Sequence, residues 1–83
     1  MEKTIYTREY EVLLRLLREA RTRAGILQTD LAQRLGQRQS FVSKVECGER
    51  RIDLIELRTI LGAIGVKLSD FVGKFEQELT RQR

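Results

Sequence analysis

The sequence of 83 residues contains no histidine, no proline, no tryptophan and only one cysteine, Cys47. Histidine is the most frequent general base of enzymes and the commonest metal ligand, so its absence argues against both catalysis and metal binding. A single cysteine cannot form an internal disulfide, and without an imidazole partner it is a poor nucleophile. We therefore expect a protein that is not an enzyme and that uses neither a cofactor nor a metal.

Long apolar runs are missing as well. No stretch approaches the ~18 residues of a membrane span, and residues 1–10 lack the apolar segment of a signal peptide. Hydrophobic residues make up 41% of the chain and charged residues 34%, which is typical of a folded domain. A chain of this length forms one domain with a small core. We expect a single cytoplasmic domain that does not bind membranes.

Positive charge is concentrated in one part of the chain. Residues 15–51 carry nine basic and four acidic side chains, whereas residues 52–83 carry five of each. A basic region of this kind fits a polyanionic partner such as nucleic acid. An arginine-rich helical surface that is merely solvated explains the charge equally well, so charge alone does not decide between the two.

Glycines and capping residues divide the sequence into five helices, and no alternating run predicts a strand. The expected helix starts are the Thr7 cap, Gln28, Gln39, the Asp53 cap and the Ser69 cap, and the expected ends are Gly25, Gly36, Gly48 and Gly65. Apolar spacing predicts the inward positions Leu13, Leu17, Ala20 and Ala24 in the first helix and Leu54, Leu57, Leu61 and Ile64 in the fourth. Three apolar residues of the first helix lie off this stripe: Tyr10, Leu14 and Leu16. We expect them to pack on the C-terminal helix or on a second copy of the chain.

The short link between the second and third helices predicts a helix-turn-helix. Ala32 permits close approach of the two helices, Gly36 supplies the positive φ for an abrupt exit, and Val42 fills the space between them. Because Val42 and Val45 face inward, the residues that turn outward are Gln39, Ser40, Ser43 and Lys44.

This outward face suits the major groove of DNA, which is ~12 Å wide and admits one helix. Glutamine can pair with adenine, lysine can reach guanine, and serine can donate or accept. No acidic residue interrupts the face before Glu46, so repulsion from phosphates is low. Residue pattern and charge together therefore favour a DNA-binding helix-turn-helix.

The segment from residue 13 to about residue 66 resembles the phage-repressor helix-turn-helix family, which includes lambda repressor and Cro and is also called XRE-type. The positions in register with that family are Leu17, Arg21, Gly25, Gln28, Leu31, Ala32, Gly36, Ser43, Glu46, Gly48 and Arg50. The resemblance implies a compact, all-α, five-helix fold of the lambda-repressor type. It also implies a transcriptional regulator that binds double-stranded DNA.

The resemblance implies a role for each matching residue. Base contacts fall to Gln39, Ser40 and Lys44, and backbone contacts to Gln28, Arg38, Ser43 and Arg50. Apart from the resemblance, Gln37 is also expected to contact the DNA backbone. Gln28 would also support the first recognition glutamine, Gln39. Phe41 would touch a thymine methyl or the sugar backbone, or serve in packing. Arg21 and Glu46 would form a structural ion pair between the first and third helices, which costs ~3–5 kcal/mol to break if it is buried.

Four positions depart from the family pattern, and one of them is Ile52, which replaces a common Pro before the fourth helix. Leu27 replaces the usual Ser or Thr cap of the second helix, which removes a cap worth ~1 kcal/mol. Gln37 replaces an apolar residue and is free to face DNA. Cys47 replaces Asn or Arg, and it serves either as a redox switch or as an inert thiol. The inert thiol is favoured, because only Arg50 and Arg51 lie near enough in sequence to activate the thiol.

A single recognition helix reaches only a few base pairs, so specific regulators of this kind commonly pair across a twofold axis on a palindromic site. We expect a homodimeric repressor or autoregulatory controller. The expected dimer surface is the stripe of the fifth helix, unless that stripe completes the monomer core: Phe71, Val72, Phe75 and Leu79.

Two other functions stay open at this level. One is an antitoxin-like module whose apolar C-terminal helix binds a partner protein such as a toxin, and the other, less favoured for lack of an aromatic stacking platform, is RNA binding. The expected organisation of the single domain is an arm at residues 1–6, a DNA-binding core at 7–66, a C-terminal helix at 67–80 and a tail at 81–83.

Overall fold

Five α-helices with short links make up the computed structural model, which describes residues 7–81. They are α1 (Arg8–Arg23), α2 (Gln28–Leu35), α3 (Gln39–Glu46), α4 (Leu54–Ile64) and α5 (Leu68–Arg81). Since this part of the chain contains no strand, the predicted all-α, five-helix class is confirmed. The expected arm at residues 1–6 and the last two residues of the expected tail lie outside the described residues.

Local hydrogen bonds begin α1 and α4 where the sequence predicts. Thr7 Oγ1 accepts from the Tyr10 backbone N–H at 3.2 Å. Asp53 Oδ1 accepts from the Glu56 N–H at 2.7 Å, and Glu56 Oε1 accepts from the Asp53 N–H at 3.0 Å. This reciprocal pair satisfies two of the donors that a helix start leaves without an intrahelical partner.

The other helix starts are different. Leu27 gives α2 no side-chain cap, as its apolar side chain requires, although Asp30 Oδ2 accepts from the Leu27 N–H at 3.0 Å. The predicted Ser69 cap is wrong, because α5 begins one residue earlier, at Leu68, and Ser69 therefore lies in its first turn.

Gly36 produces the corner between α2 and α3. Its φ of 67° is left-handed, a conformation that only glycine adopts without strain. The Gln37 N–H donates to the Ala32 carbonyl at 2.9 Å, and the Gly36 N–H donates to the Gln33 carbonyl at 3.1 Å, which is the Schellman pattern of a helix end. The chain leaves α2 abruptly at this glycine, and α3 packs against α2.

The inward face of α1 is broader than the predicted stripe. Leu17 is buried as expected, but Ala24 is exposed and Leu13 is only half-buried. The residues placed off the stripe are buried in this chain: Tyr10, Leu14 and Leu16, together with Val12. The reason is that α1 contacts α3, α4 and α5, so neighbours cover it on more than one side.

The predicted stripe of α4 is also only partly right. Leu57, Leu61 and Ile64 are buried, and Ile60 joins them. Leu54, however, is 59% exposed and its neighbour Ile55 is 69% exposed. The buried face therefore starts at the second turn of α4, and the first turn presents two large apolar side chains to solvent.

Three of the four apolar residues in the stripe of α5 pack against the core of their own chain. Phe71 is 4% exposed, and Phe75 and Leu79 are half-buried against the same core. Burial of Phe71 removes it from the expected dimer surface, because an aromatic ring that packs within one chain is not available to a second. Of the four residues expected there, Val72 remains exposed.

An ion pair links α5 to α1. The Arg15 guanidinium donates to Glu78 at 2.7 Å and to Glu19 at 3.1 Å, and these bonds, that of Glu78 first, raise the pKa of Arg15. Ion pairs that remain partly in contact with water contribute little stability, so burial of Phe71 is the stronger tie between the two helices. Within residues 7–81, no helix has both the length and the apolarity needed to cross a bilayer.

Candidate nucleic-acid interface

Helix α3 presents one polar face to solvent. Val42 and Val45 are 2% exposed and fix the orientation of the helix against the core. The expected base-reading residues Gln39, Ser40 and Lys44 are exposed, and Ser43 is half-buried beside them. These positions recur at helical spacing and therefore form one ridge along the outside of the domain.

The start of α3 is suited to an anion. Arg38 occupies the N-cap position without capping the helix through its side chain, and the first turn contains no acidic residue. The first N–H groups of a helix carry partial positive charge and attract phosphate. Arg38 and Gln37, both expected to contact the DNA backbone, are exposed immediately before this helix start.

A buried ion pair lies beneath the ridge. Arg21 is 8% exposed and Glu46 is 4% exposed. Arg21 Nε donates to Glu46 Oε2 at 2.6 Å, and its second terminal nitrogen donates to Glu46 Oε1 at 3.1 Å. A third bond, at 2.8 Å, runs from Arg21 to the carbonyl of Ile26. The guanidinium thus joins α1, the α1–α2 link and the end of α3, and its two-pronged geometry is the strong form of an arginine–carboxylate pair.

Hydrogen bonds continue from this ion pair to the surface. Gln28 Nε2, at the start of α2, donates to Glu46 Oε1 at 3.0 Å. Gln39 Nε2, at the start of α3, donates to Gln28 Oε1 at 2.7 Å. We call the chain of Arg21, Glu46, Gln28 and Gln39 the polar relay. It brings together the expected ion pair and the expected support of Gln39 by Gln28, and adds the bond from Gln28 to Glu46, which the sequence did not indicate.

Arg50 has partners within the chain. It donates to Glu56 Oε2 at 2.9 Å, and its guanidinium carbon lies 4.9 Å from the centre of the Phe41 ring. The bond to Glu56 raises the pKa of Arg50, and the bond from Arg50, followed by the Asp53 backbone, lowers the pKa of Glu56. Phe41 is half-buried and packs against the core, which corresponds to the packing role weighed for it above.

Glu56 is a neighbour of the site that sequence reasoning missed. The Asp53–Glu56 spacing of a capping box was the available signal, but it gives no indication that the same carboxylate reaches Arg50. Between these residues and Ile55 lies an open groove of about 380 Å³, whose lining also includes Gln37 and Phe41.

Cys47 is exposed just beyond α3. Its Sγ lies 3.6 Å from the Lys44 carbonyl oxygen and 3.9 Å from a Glu49 carboxylate oxygen. Neither neighbour is a cation or a helix N-terminus, the features that activate a thiolate. Among residues 7–81, no three side chains of the metal-ligating types cluster together.

The corner at Gly36 and the exposed ridge of α3 define a helix-turn-helix domain. Comparison with known families agrees, since the model of a helix-turn-helix family matches residues 17–71. Among solved structures, the chain is similar to an XRE-family like protein from Pseudomonas syringae pv. tomato str. DC3000. The two are 48% identical with a TM-score of 0.84, over 93% of this chain and 94% of that one. A comparison with curated proteins finds no match.

The chain belongs to the XRE family of helix-turn-helix proteins. Membership supports its assignment as a DNA-binding transcriptional regulator, and it confirms the family that the sequence pattern indicated.

The buried ion pair can be tested by Arg21→Met. This change leaves the Glu46 carboxylate buried without a cation, so we expect the free energy of unfolding to fall by ~3–5 kcal/mol. Urea titration followed by circular dichroism measures it. The matched control is Arg15→Met, which breaks the half-buried pairs with Glu78 and Glu19 and should cost less. Equal losses in the two variants would contradict the account.

Proposed function

We propose that the chain is a sequence-specific regulator that binds a palindromic operator as a homodimer and acts as a repressor or autoregulatory controller. The observation that carries the proposal is the exposed ridge of α3. The ridge contains no acidic residue, and the buried, hydrogen-bonded pair of Arg21 and Glu46 lies beneath it. The repressor sense rests on the resemblance to phage repressors. Occupancy of promoter DNA suffices for repression and requires no reaction at the site.

Base contacts are assigned to Gln39, Ser40 and Lys44. Gln39 lies at the first position of α3, where a recognition helix of this class enters the major groove. Lys44 lies five residues further on the same ridge, so its long side chain can reach guanine N7 or O6. Ser40 is short and donates or accepts according to the base that it meets.

Backbone contacts are assigned to residues around this ridge. Gln28 uses one Nε2 proton for Glu46 and retains a second for a phosphate. The remaining assigned contacts are Gln37, Arg38, Ser43 and Arg50. Arg50 uses one N–H for Glu56 and one for the Arg51 carbonyl, and it retains other N–H donors for a phosphate. Each basic side chain that neutralises a phosphate should steepen the salt dependence of binding.

The base-reading assignment can be tested with Gln39→Ala and Lys44→Ala. Selection from random duplexes with the wild type first supplies the operator, and fluorescence anisotropy then compares the operator with scrambled duplex. We expect each variant to lose about 5- to 150-fold in affinity for the operator, because one good base contact is worth ~1–3 kcal/mol. For Gln39→Ala, affinity for scrambled duplex should change little.

The matched controls are Gln77→Ala and Lys74→Ala, which remove the same side chains from exposed positions of α5. They should bind the operator like the wild type. The assignment is wrong if Gln39→Ala and Lys44→Ala also bind it like the wild type while remaining folded.

A homodimer is supported by the small reach of one recognition helix and by exposed apolar residues. Because Phe71 is buried in its own chain, we move the proposed contact from α5 to the first turn of α4. Leu54 and Ile55 form an adjacent, strongly exposed apolar pair there, and burial of their apolar surface against a second copy would be favourable. Their turn lies beside the groove that Arg50 and Gln37 also line, close to the recognition helix.

Sedimentation equilibrium of the wild type, Ile55→Asp and Val72→Asp at micromolar concentration tests this assembly. We expect the wild type and Val72→Asp to be dimeric and Ile55→Asp to be monomeric. Ile55→Asp should dissociate because burying a charge at the contact is costly. A monomeric Val72→Asp beside a dimeric Ile55→Asp would return the contact to α5. A wild type that remains monomeric, with and without operator, would refute the homodimer.

No observation favours the antitoxin-like alternative. It requires an apolar helix that is free to hold a partner protein, but the stripe of α5 is used by the core of this chain, through Phe71 above all.

A further inference from the structure

The guanidinium of Arg50 is held by three different parts of the chain. Its Nη2 donates to Glu56 Oε2, on α4, at 2.9 Å, and its Nη1 donates to the Arg51 carbonyl at 3.0 Å. The ring of Phe41, on α3, has its centre 4.9 Å from the guanidinium carbon. The backbone is tied as well, since the Arg50 N–H donates to the Lys44 carbonyl at 3.1 Å. A long side chain on a surface ordinarily has many rotamers, whereas this one is restrained at both ends.

Glu56 is in turn fixed by the start of α4. Its Oε1 accepts from the Asp53 N–H at 3.0 Å, and Asp53 Oδ1 accepts from the Glu56 N–H at 2.7 Å. Its Oε2 is the oxygen that accepts from Arg50. One carboxylate oxygen therefore binds the backbone of the helix start, and the other binds the guanidinium. Through Glu56, Arg50 is tied to the helical framework.

The restrained guanidinium still has donors for an external anion. Arginine carries five N–H groups, and two of those of Arg50 are used for Glu56 and the Arg51 carbonyl. The planar fork of arginine binds phosphate most strongly when two of its N–H groups donate together, so its orientation matters. A side chain that is held in advance also loses less conformational freedom when it binds.

The charge of Glu56 acts in the opposite direction. A carboxylate close to a DNA phosphate is repelled by it, so by charge alone Glu56 would weaken binding to DNA. By its hydrogen bond to Arg50, Glu56 would strengthen the same binding. Because the two effects differ in sign, a measurement of affinity shows which of them is larger.

We propose that Glu56 is a positioning residue for the DNA backbone contact: it holds the Arg50 guanidinium against the Phe41 ring, ready for a phosphate, and so strengthens binding despite its own negative charge. The inference rests on the proposed function and adds to it the residue that orients one phosphate contact. It gives Glu56 a role distinct from capping α4, because the cap uses Oε1 and Arg50 uses Oε2.

Glu56→Gln isolates this role. Glutamine keeps one side-chain oxygen, which suffices for the Asp53 N–H in a capping box, so the start of α4 is retained. Its NH₂ group then faces Arg50, and two donors cannot bond to each other. In the free protein, ¹⁵N spectra of the Arg50 guanidinium measure rotation about its Nε–Cζ bond. We expect slow rotation in the wild type and faster rotation in Glu56→Gln. Equal rates in the two proteins would overturn the inference.

Fluorescence anisotropy with the selected operator then gives the sign of the effect. We expect Glu56→Gln to bind at least about twofold more weakly than the wild type, because the released Arg50 side chain must be ordered on binding. The matched control is Glu76→Gln, which removes the same charge from an exposed position of α5 and should bind no more weakly than the wild type. In an Arg50→Met background, Glu56→Gln should no longer weaken binding, because the side chain that Glu56 positions is then absent.

These outcomes separate positioning from charge and from structure. An affinity of Glu56→Gln equal to or above that of the wild type would overturn the inference, because repulsion would then balance or exceed any positioning. Equal losses with and without Arg50 would overturn it too, because Glu56 would then act only through the fold of α4.

Arg50→Met alone tests the proposed function on which the inference rests. We expect this variant to bind the operator more weakly, with a log–log salt slope lower by about 1 for each protomer. An Arg50→Met that binds like the wild type would refute the backbone contact assigned to Arg50. A weakened Arg50→Met beside an unweakened Glu56→Gln would refute the positioning role alone.

Discussion

The buried bond between Arg21 and Glu46 is the constraint on which the rest of this structure depends. A guanidinium and a carboxylate out of contact with water are tolerable only when each satisfies the other, so the end of α3 must stay against α1. The third bond of Arg21, to the Ile26 carbonyl, joins the α1–α2 link to the same ion pair. Three separate parts of the chain are therefore joined at one ion pair, and this junction fixes the position of the outer face of α3.

The domain combines a rigid interior with adaptable contacts at its surface. Val42, Val45 and the ion pair hold α3 from below, and Gly36 sets the angle at which it crosses α2. Above them, Gln39 is held by a single hydrogen bond and Lys44 by none within the described residues, so both can adjust to a base edge. Arg50 is intermediate in mobility, since Glu56 and the Phe41 ring hold it at the surface. At this position its guanidinium can also bind a phosphate. Rigid support below free polar groups is what specific recognition of a groove requires.

Local sequence signals predicted the helix boundaries. Glycines and capping residues located α1, α2 and α4 correctly, because a helix end is decided by the backbone and its immediate neighbours. Burial depends on tertiary neighbours, so the width of the α1 face and the exposure of Leu54 could not be read from spacing alone. The pair of Arg21 with Glu46 spans 25 positions and was reached only through the family resemblance. The bonds of Gln28 to Glu46 and of Arg50 to Glu56 had no sequence signal, since a side-chain contact between distant elements leaves no periodic trace.

The most direct test of the central claim, that a positioned α3 ridge is the DNA-binding surface, is a map of backbone amide shifts on titration with the selected operator duplex. The account predicts the largest shifts at the start of α3 and at Gln28, with smaller ones around Arg50 and little change along α5. Largest shifts on α5 or on the α1 surface, with the α3 amides unmoved, would contradict it.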